Sequence, residues 1–538
     1  MNSRVVSYTQ LALALAAGMA LRLYFIVHFP FYAGDTKFYE ELARNWVDHG
    51  VYGLFVMGQL APVDMRAPGY PAFLAAIYFL LGRGSRAVML AQAFLDLGTC
   101  VLTAGIAARL APVARRRVVA TAALWLAALC PFTANYTAGV LSESLAIFLT
   151  GLAMFVIVQL LSDADELELS VGEIAAGDER TERGPARASG LEKAGLRPAP
   201  TESKSKPRSE SRSESNSKSE SKSGARRRRA FTLAGWFLLA GFIVGVGALV
   251  RPEAPLLLAA AALAVGWRWR RRADWTKLIL AGCWMALGLL VALLPWAARN
   301  ARTLGRIEFL GPRYAQSDGD FIPRGFFAWT KTWTTRFSDA YLVDWKLGKE
   351  PLSVDIFPSA AFDSDAERAR VAALLAQYDG NNFRITPALD RQFGLLARER
   401  TRRRPWRTFI TIPAERIVAM WFTPRIELLP YSGDLWPPLE KWRENRADFG
   451  VTLGFGFLGI VYAGLALCGL WRWRGGTAGT FLICFVVIRT LAMTQLQTVE
   501  PRYVIESFPA VLAFGALAWA APRRQEAAER EALRAASE

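Results

Sequence analysis

The chain has 538 residues, of which 53% are apolar and 21% charged, and its mean hydropathy is +0.20. Several stretches contain no Asp, Glu, Lys or Arg over about twenty residues, the length that a helix needs to cross a bilayer core. This composition excludes a soluble protein. The formal net charge of +17 could suggest nucleic-acid binding, but the basic residues cluster at the ends of apolar runs, which is typical of membrane topology signals. We therefore predict membrane lipids, and not nucleic acid, as partners.

Composition implies no disulfide framework and no zinc cluster, and it excludes a histidine-rich metal site. The five cysteines lie singly within apolar runs, and the chain has only 2 histidines. Isolated cysteines of this kind are small buried residues rather than disulfide or zinc ligands.

The apolar runs predict an all-α polytopic membrane protein with about ten transmembrane helices. In chain order the predicted spans are 9–29, 87–108, 118–135, 143–161, 230–250, 253–268, 278–296, 449–470, 477–495 and 504–521. A further apolar run, 68–82, is shorter than a crossing and is predicted to be a juxtamembrane surface helix.

The orientation depends on that short run, because one more crossing would invert every later span. If residues 68–82 lie on the surface, each basic cluster falls on the cytoplasmic side, as the positive-inside rule requires. The clusters are Arg109 with 115–117, 226–229, 268–272, Arg472 with Arg474, and Arg523 with Arg524. We therefore expect a multi-pass protein of the cytoplasmic (inner) membrane of a bacterium, with both termini in the cytoplasm.

The predicted spans define the domain organisation. Residues 1–161 form an N-terminal membrane part with a first outer loop at 30–86, residues 230–296 the central helices, residues 449–521 the C-terminal helices and residues 522–538 a cytoplasmic tail. Residues 162–229 are rich in Ser, Lys, Arg and Glu and cannot bury an apolar core, so they are predicted to be a disordered cytoplasmic linker.

Residues 297–448 are predicted to be a mainly helical extracytoplasmic insertion. Its helices are expected at 363–377, 387–403 and 406–421, the last two amphipathic enough to lie near the membrane surface. The aromatic stretch at 326–345 is predicted either to stack on sugar rings or acceptor, or to anchor the insertion at the interface.

Charged residues gather at the helix ends that this topology places outside. They are Asp35, Asp64, Arg66, Glu143, Arg251, Glu253, Arg299, Arg302, Glu500 and Arg502. A single arginine there could snorkel to lipid headgroups. Several arginines from distant segments, each beside an acid, favour an anion-binding cleft, because the guanidinium fork matches a phosphate.

Six short strings carry these residues. They are Gly34-Asp35-Thr36 with Tyr39, Arg66-Ala67-Pro68 running to Pro71, Leu141-Ser142-Glu143, Arg251-Pro252-Glu253, Pro295-Trp296 with Arg299-Asn300, and Pro501-Arg502-Tyr503. In this order they resemble the GT-C membrane glycosyltransferases, and most closely the branch of protein O-mannosyltransferases and lipid A aminoarabinose transferases. The resemblance covers about residues 9–305 and 449–521.

The resemblance implies an enzyme that moves a sugar, a hexose or a pentose, from a polyprenyl-phosphate carrier to an acceptor on the outer face of the membrane. By position, Asp35 matches the catalytic Asp of the family, and Arg66 matches the basic residue expected near the lipid phosphate. Relatives often have Asp-Glu where this chain has Asp35-Thr36. The role of a second acid is therefore open between Glu143 and Asp64.

Sugar transfer needs a base for the acceptor hydroxyl and a stabilised leaving phosphate. Asp35 is the candidate general base, although a role in capping a loop or helix is the alternative. Arg66, then Arg299 and Arg502, are the candidates that bind the donor phosphate, and direct displacement predicts inversion at the anomeric carbon. The acceptor, whether protein, glycolipid or polysaccharide, is not indicated.

Glu143 is the second catalytic candidate, expected to orient the acceptor, to hold a divalent cation with Asp35, or to cap its own helix. No cofactor is indicated beyond that cation. Second-rank site candidates are Asp64, Arg251, Glu253, Asn300 and Tyr503.

Two other functional classes remain open. A transporter or flippase of a lipid-linked or anionic substrate should place ionisable residues near the bilayer midplane. Only Asp96, Arg489 and Arg22 lie that deep, and Asp96 is expected to be a buried hydrogen-bond partner. The third class is a non-catalytic scaffold that uses the linker for interaction.

Overall fold

The computed structural model describes residues 6–32, 34–182, 233–269, 275–311, 321–343 and 346–520. The first half contains α1 (Tyr8–His28), α2 (Gly34–His49), β1 (Gly53–Val56), β2 (Gln59–Pro62), α3 (Gly69–Leu81), α4 (Ser85–Leu110), α5 (Arg116–Ala128), α6 (Pro131–Ala134) and α7 (Glu143–Glu182). Two central helices follow, α8 (Leu233–Val250) and α9 (Leu256–Trp269).

The second half begins with the long helix α10 (Trp275–Leu304). The insertion then contributes α11 (Arg324–Thr330), α12 (Phe337–Val343), α13 (Asp365–Gly380), α14 (Pro387–Arg403), α15 (Ile412–Phe422) and α16 (Pro438–Glu444). The chain returns to the bundle as α17 (Arg446–Arg472), α18 (Thr477–Met493), a 3-10 segment (Pro501–Ser507) and α19 (Phe508–Ala516).

Six helices of the described chain are long and apolar enough to cross a membrane. The protein is therefore a polytopic helical membrane protein. The six helices are α1, α4, α7 over Glu143–Asp165, α8, α10 and α17. A seventh would be α5 together with 131–138, bent by 44°. The predicted number of about ten is not confirmed. The spans predicted at 253–268, 477–495 and 504–521 correspond to α9, α18 and α19, which are shorter helices; α19 is buried along its length within the bundle and does not need to reach both boundaries itself.

The helices of the bundle have two distinguishable ends, roughly 30 Å apart along α7 at 1.5 Å per residue. Glu143 begins α7, and Asp163, near the other end of its apolar part, forms an ion pair with Arg109 at the end of α4 (3.1 Å). Asp165 accepts hydrogen bonds from the backbone N–H (2.8 Å) and hydroxyl (2.7 Å) of Thr477, which begins α18. We call the two the Asp35 end and the Arg109 end.

The short helix α3 stays at the Asp35 end. The hydroxyl of Tyr70, in its first turn, donates to Gln92 in the second turn of α4 (2.8 Å), and that of Tyr78, in its last turn, donates to Glu40 of α2 (3.2 Å). Both ends of α3 therefore lie beside α2 and the start of α4, which then runs to Arg109.

A two-stranded hairpin departs from the predicted all-α class. β1 and β2 pair in antiparallel register from Gly53 with Pro62 to Val56 with Gln59. Its two turn residues, Met57 (φ 50°) and Gly58 (φ 81°), both have the left-handed backbone that two-residue hairpin turns require. Alternation over four residues is too short to predict a strand pair in the middle of a loop.

The deep charges inside the bundle are paired. The carboxylate of Asp96 on α4 accepts from Nη2 (2.5 Å) and Nε (2.9 Å) of Arg22 on α1, and Arg22 also donates to the carbonyl of Ala128 (2.7 Å). Arg22 and Asp96 are both fully buried. The expectation that Asp96 is a buried hydrogen-bond partner is confirmed.

The insertion has an apolar core of its own. Phe326, Trp329 and Trp333 are buried there against Phe393 of α14 and residues of α13. The prediction that this aromatic stretch stacks on substrate or anchors at the interface is therefore wrong for these three side chains, because an isolated helical subdomain uses its largest residues to fill its core. The helix predicted at 387–403 matches α14, and that at 406–421 is a π turn (Arg407–Thr411) followed by α15.

The first part of the predicted linker, 162–182, is helical, since α7 continues without a break to Glu182. The rest of that segment, 183–229, and the predicted tail at 522–538 lie outside the described residues.

Candidate active site

A cavity of about 220 Å³ opens at the Asp35 end of the bundle. Residues from five of the six strings noted above line it, although they are far apart in the sequence. The lining residues are Asp35, Tyr39, Met65, Arg66, Ala67, Leu141, Ser142, Glu143, Val250, Arg251, Pro252, Glu253, Gly311, Arg502 and Tyr503.

Asp35 and Arg66 form one side of the cavity. Asp35 lies in the first turn of α2, where the positive end of the helix dipole favours a carboxylate. Its Oδ1 accepts from Nη2 of Arg66 (2.7 Å), and both side chains are about 30% exposed. The carbonyl of Arg66 accepts from the hydroxyl of Tyr52 (2.8 Å), which fixes the backbone just before α3.

Thr36, the residue after Asp35, has a structural role at the start of α2. The Thr36 side chain is buried, and its hydroxyl donates to the carbonyl of Val140 (3.1 Å). A carboxylate in this position could not donate that bond. The contact holds the start of α2 against the loop that leads to Glu143.

Glu143 lies opposite Asp35 and is 1% exposed. Its Oε1 accepts from Arg251 (2.6 Å) and from Nη1 of Arg502 (3.4 Å). The same Nη1 lies 3.7 Å from Oδ2 of Asp35. Arg502 therefore bridges the two carboxylates, and Asp35, Arg66, Glu143, Arg251 and Arg502 form one connected charge cluster.

The start of α3 packs closely on the end of α8, which brings Arg66 and Arg251 to the same cavity. A Cβ on Gly69 would lie 2.6 Å from Val250 Cγ2 and 2.7 Å from the carbonyl oxygen of Leu249. Glycine is required at this approach because any side chain would separate the two helices.

A second layer of acids surrounds the arginines. Glu500 binds Arg502 through Nε (2.5 Å) and Nη2 (3.2 Å), and it accepts from the hydroxyl of Tyr503 (3.0 Å). Glu506 is fully buried between Arg489 (2.7 Å) and Arg251 (3.5 Å). These acids hold the guanidinium groups of Arg251 and Arg502 in a fixed orientation before any ligand binds.

The electrostatics keep Arg251 and Arg502 charged. Burial by itself would lower the pKa of Arg251, but the nearby Glu143, Glu506 and Glu253 outweigh it and raise that pKa above its ordinary value. Burial opposes the charge of Arg502 in the same way, and Glu500 and Glu143 hold its pKa well above the ordinary value. Burial, assisted by Asp35, raises the pKa of Tyr39, so its phenol stays neutral.

Two carboxylate oxygens at the cavity have no hydrogen-bond donor among the described residues. They are Oε2 of Glu143 and Oε2 of Glu253. Buried acceptors of this kind are costly unless something donates to them. A hydroxyl-bearing ligand supplies such donors.

The cavity does not fit a divalent cation well. No group of three His, Cys, Asp or Glu residues within the described chain is arranged to hold one. Asp35 and Glu143 are each already bound by arginine, so neither presents an unneutralised carboxylate.

Three predicted site residues do not line the cavity. Arg299 donates to the carbonyls of Val63 (2.9 Å) and Tyr52 (2.6 Å), and its guanidinium stacks on the Tyr52 and Trp296 rings. Its role is therefore to hold the hairpin against α10, because both of its Nη atoms already donate to backbone carbonyls.

Asp64 and Asn300 also face away from the cavity. Asp64 is 4% exposed and accepts from Arg306 (2.6 Å), so it is not available as the second acid. Asn300 donates to the carbonyl of Glu308 (3.0 Å) and accepts from Arg299 (2.9 Å). Both stabilise the turn after α10.

The sequence analysis did not identify Tyr39 as a residue that lines the cavity. It also did not identify the buried pair of Glu506 and Arg489, which lies next to Arg251. Arg489 and Glu506 were placed in neighbouring predicted spans. Opposite charges in two adjacent apolar spans are expensive unless they pair, and that signal could have identified them.

No family model matches the chain, and no curated protein matches it in sequence. Among solved structures, it is similar to the archaeal oligosaccharyltransferase AglB from Archaeoglobus fulgidus, in complex with an inhibitory peptide and a dolichol-phosphate. The TM-score is 0.43 and the identity 11%, over 95% of this chain and 49% of AglB. The chain thus spans about half of AglB, and a likeness this distant assigns no activity.

Proposed function

We propose that the protein is a membrane glycosyltransferase that moves a hexose or pentose from a polyprenyl-phosphate donor to a hydroxyl of an acceptor, with inversion. The observation that carries the proposal is the charge cluster of Asp35, Arg66, Glu143, Arg251 and Arg502 in one cavity. Three guanidinium groups beside a partly exposed carboxylate suit a reaction in which a phosphate leaves and a hydroxyl loses its proton.

In this mechanism the donor phosphate takes over Arg66 from Asp35. Arg66 is about 30% exposed and, among the described residues, is held by one ion pair, so an entering phosphate can exchange with that carboxylate. Arg502 is the second phosphate ligand. The exchange leaves Asp35 free to accept a proton.

The chemical step is a direct displacement. The acceptor oxygen attacks the anomeric carbon as the bond from that carbon to the phosphate oxygen breaks, and the phosphate departs with the electron pair. Asp35 takes the hydroxyl proton, and the arginines stabilise the charge that develops on the phosphate. Glu143, with Arg251, orients the sugar or acceptor hydroxyls through its unbonded Oε2.

We also propose an orientation, which the same geometry and the positive-inside rule support. Both ends of α3 lie at the Asp35 end, so α3 does not invert the later spans. Arg109 and Arg472 lie at the opposite end, where Arg472 donates to the carbonyl of Ala520 (3.1 Å). We therefore place the cavity on the outer face of the cytoplasmic membrane and the termini in the cytoplasm.

The transporter or flippase alternative has less support. A carrier needs ionisable groups that are accessible near the midplane. The deep Arg22 and Asp96 are instead fully buried and paired with each other.

The test is sugar release from defined donors. Purified protein is incubated with several radiolabelled polyprenyl-phosphate sugars, and the transferred label is measured for wild type and Asp35→Asn. We expect a loss of roughly 10²–10⁴-fold in transfer, the contribution of a general base, with donor binding largely intact. Asp48→Asn makes the same change on the same helix at an exposed position and should be active. Full activity of Asp35→Asn would remove Asp35 from the mechanism, and no transfer from any donor by wild type would overturn the function.

A further inference from the structure

Helix α15, together with the π turn and the residue that precede it, carries a row of exposed apolar side chains outside the cavity. We call the row the α15 stripe; it consists of Trp406, Ile410, Ala414, Val418 and Phe422, which are all exposed. An interval of four residues places successive side chains on neighbouring turns of one face. Trp406 is 74% and Phe422 62% exposed, which is far more than a soluble surface usually presents in one row.

The opposite face of α15 is fixed to the bundle. Arg416 is fully buried, and its guanidinium donates to the carbonyls of Thr334 (2.9 Å), Thr494 (2.8 Å) and Leu496 (2.8 Å). Near its end, the Trp421 indole donates to Thr490 of α18 (3.2 Å). The helix therefore cannot rotate to bury the stripe.

The stripe adjoins a surface that is already apolar. α15 packs beside α17, a candidate span of which only 6% of the apolar window is buried. Leu453, Phe457 and Ile460 of α17 are exposed, as is Trp436 before α16. The exposed apolar surface thus extends from α17 onto the insertion.

The order of residues along the chain matches a lipid leaflet. Arg402 and Arg404 are exposed at the end of α14, Trp406 follows, and the aliphatic and Phe positions come last, nearest the bundle. Cations suit lipid phosphates, Trp suits the headgroup boundary, and aliphatic side chains suit hydrocarbon. Glu415 is exposed beside the stripe, so the helix lies at the interface and not in the hydrocarbon centre.

We propose that the α15 stripe is embedded in the leaflet at the Asp35 end of the bundle, with Arg402 and Arg404 bound to phosphates of anionic lipids. The insertion is then a membrane-seated subdomain, held to lipid on one face of α15 and to the bundle on the other. This inference is independent of sugar transfer.

Nitroxide accessibility in lipid nanodiscs tests the position of the stripe. The label is attached at Ala414→Cys in a parent whose accessible cysteines, Cys283, Cys468 and Cys484, are replaced by alanine. Ala366→Cys, an exposed alanine on α13 of the same insertion, is the matched control. We expect label 414 to be relaxed by oxygen more than by a water-soluble nickel chelate, and label 366 to show the reverse.

A nickel-accessible label at 414 would overturn the proposal. Protection of that label from both reagents would also overturn it, because it would show that another protein surface covers the stripe.

The charge component is tested by lipid composition. Nanodiscs of phosphatidylcholine are compared with nanodiscs that also contain phosphatidylglycerol. We expect nickel accessibility at 414 to fall when the anionic lipid is present, and this change to be lost in Arg402→Gln/Arg404→Gln. The pair Arg384→Gln/Arg391→Gln, exposed at the other end of α14, should retain it. An equal response in both double variants would refute a role for Arg402 and Arg404.

Discussion

At the scale of single residues, the cavity depends on guanidinium groups whose geometry is set before any ligand arrives. Arg251 and Arg502 are each bound by more than one acid, whereas Arg66 pairs with Asp35 alone within the part of the chain that the structure describes. A phosphate can therefore recruit Arg66 at the cost of one exposed ion pair, and Arg66 is the side chain whose loss should affect the donor most directly.

We expect Arg66→Ala to weaken donor binding roughly 10- to 100-fold, since a hydrogen bond to a charged group contributes about 1.5–3 kcal/mol. Arg66→Lys keeps the positive charge but loses the two parallel N–H donors of the guanidinium. Its donor affinity should therefore lie between those of wild type and Arg66→Ala. Equilibrium binding of a polyprenyl-phosphate sugar measures the effect. Arg83→Ala removes an exposed arginine that pairs with Asp48 of α2 and does not line the cavity. This variant should bind the donor normally. Equal affinities of wild type and Arg66→Ala would remove Arg66 from the phosphate site.

Individual site residues were predictable where a charged residue lay at an outer helix end without an evident structural role. Asp35, Arg66, Glu143, Arg251 and Arg502 satisfied that criterion and meet in the cavity. Arg299 satisfied it equally, yet its guanidinium is occupied by the carbonyls of Tyr52 and Val63. The sequence could not distinguish Arg299 from the arginines of the cavity. The carbonyl groups that bind Arg299 lie beside the β1–β2 hairpin, and the strands of this hairpin are too short to be predicted from an alternating pattern.

At the scale of elements, the insertion is held by a buried charge network between α13 and α14. Arg400 is fully buried and donates to Glu367, to the hydroxyl of Thr332 (2.9 Å) and to the carbonyl of Ala361 (2.9 Å). Glu367 also accepts from Arg403 (3.2 Å). Removing the Glu367 charge deprives a fully buried guanidinium of its closest acid and leaves it with Asp363, 3.6 Å away.

Glu367→Gln should therefore destabilise the insertion by about 3–5 kcal/mol. Hydrogen exchange of peptides from α13 and α14 measures it, and exchange there should accelerate by roughly two orders of magnitude or more while the bundle helices are unchanged. Glu399→Gln alters a 41% exposed carboxylate in α14 and should shift exchange little. Identical exchange in the two variants would show that the buried network does not hold these helices together.

Helices with a clear hydrophobic periodicity or with capping residues were predictable from the sequence. Helices whose length depends on how they pack in the bundle were not. The boundaries of α14 follow from Thr386, whose hydroxyl accepts from Leu389 N–H (3.3 Å), and from Pro387 in the first turn. By contrast, α19 is a short helix of 9 residues, all of them buried except Val511. Its apolar sequence reads the same whether lipid or protein surrounds it, so a full span was predicted.

At the scale of the whole molecule, orientation is the property on which the position of the cavity depends. A reporter enzyme that is active only outside the cytoplasm, fused after Gly82 and separately after Ala108, tests it. We expect activity after Gly82 and none after Ala108, since α3 stays at the Asp35 end and α4 crosses. The reverse pattern would place the charge cluster in the cytoplasm and exclude an outer-face reaction.

Helix α7 is joined to the 3-10 segment by Thr150 with Glu506 (3.2 Å), close to the cavity, and to α18 by Asp165 with Thr477 (2.7 Å), on the opposite side. The helix begins with Glu143, and the 3-10 segment contains Arg502. A sliding movement of α7 along its axis would consequently carry an acid and a cation of the cavity as a unit, preserving their spacing while shifting both relative to Asp35. Since α7 continues past Asp165 to Glu182, a pull applied to its far end would be transmitted as a change in the separation between the proposed proton acceptor and its opposing charges.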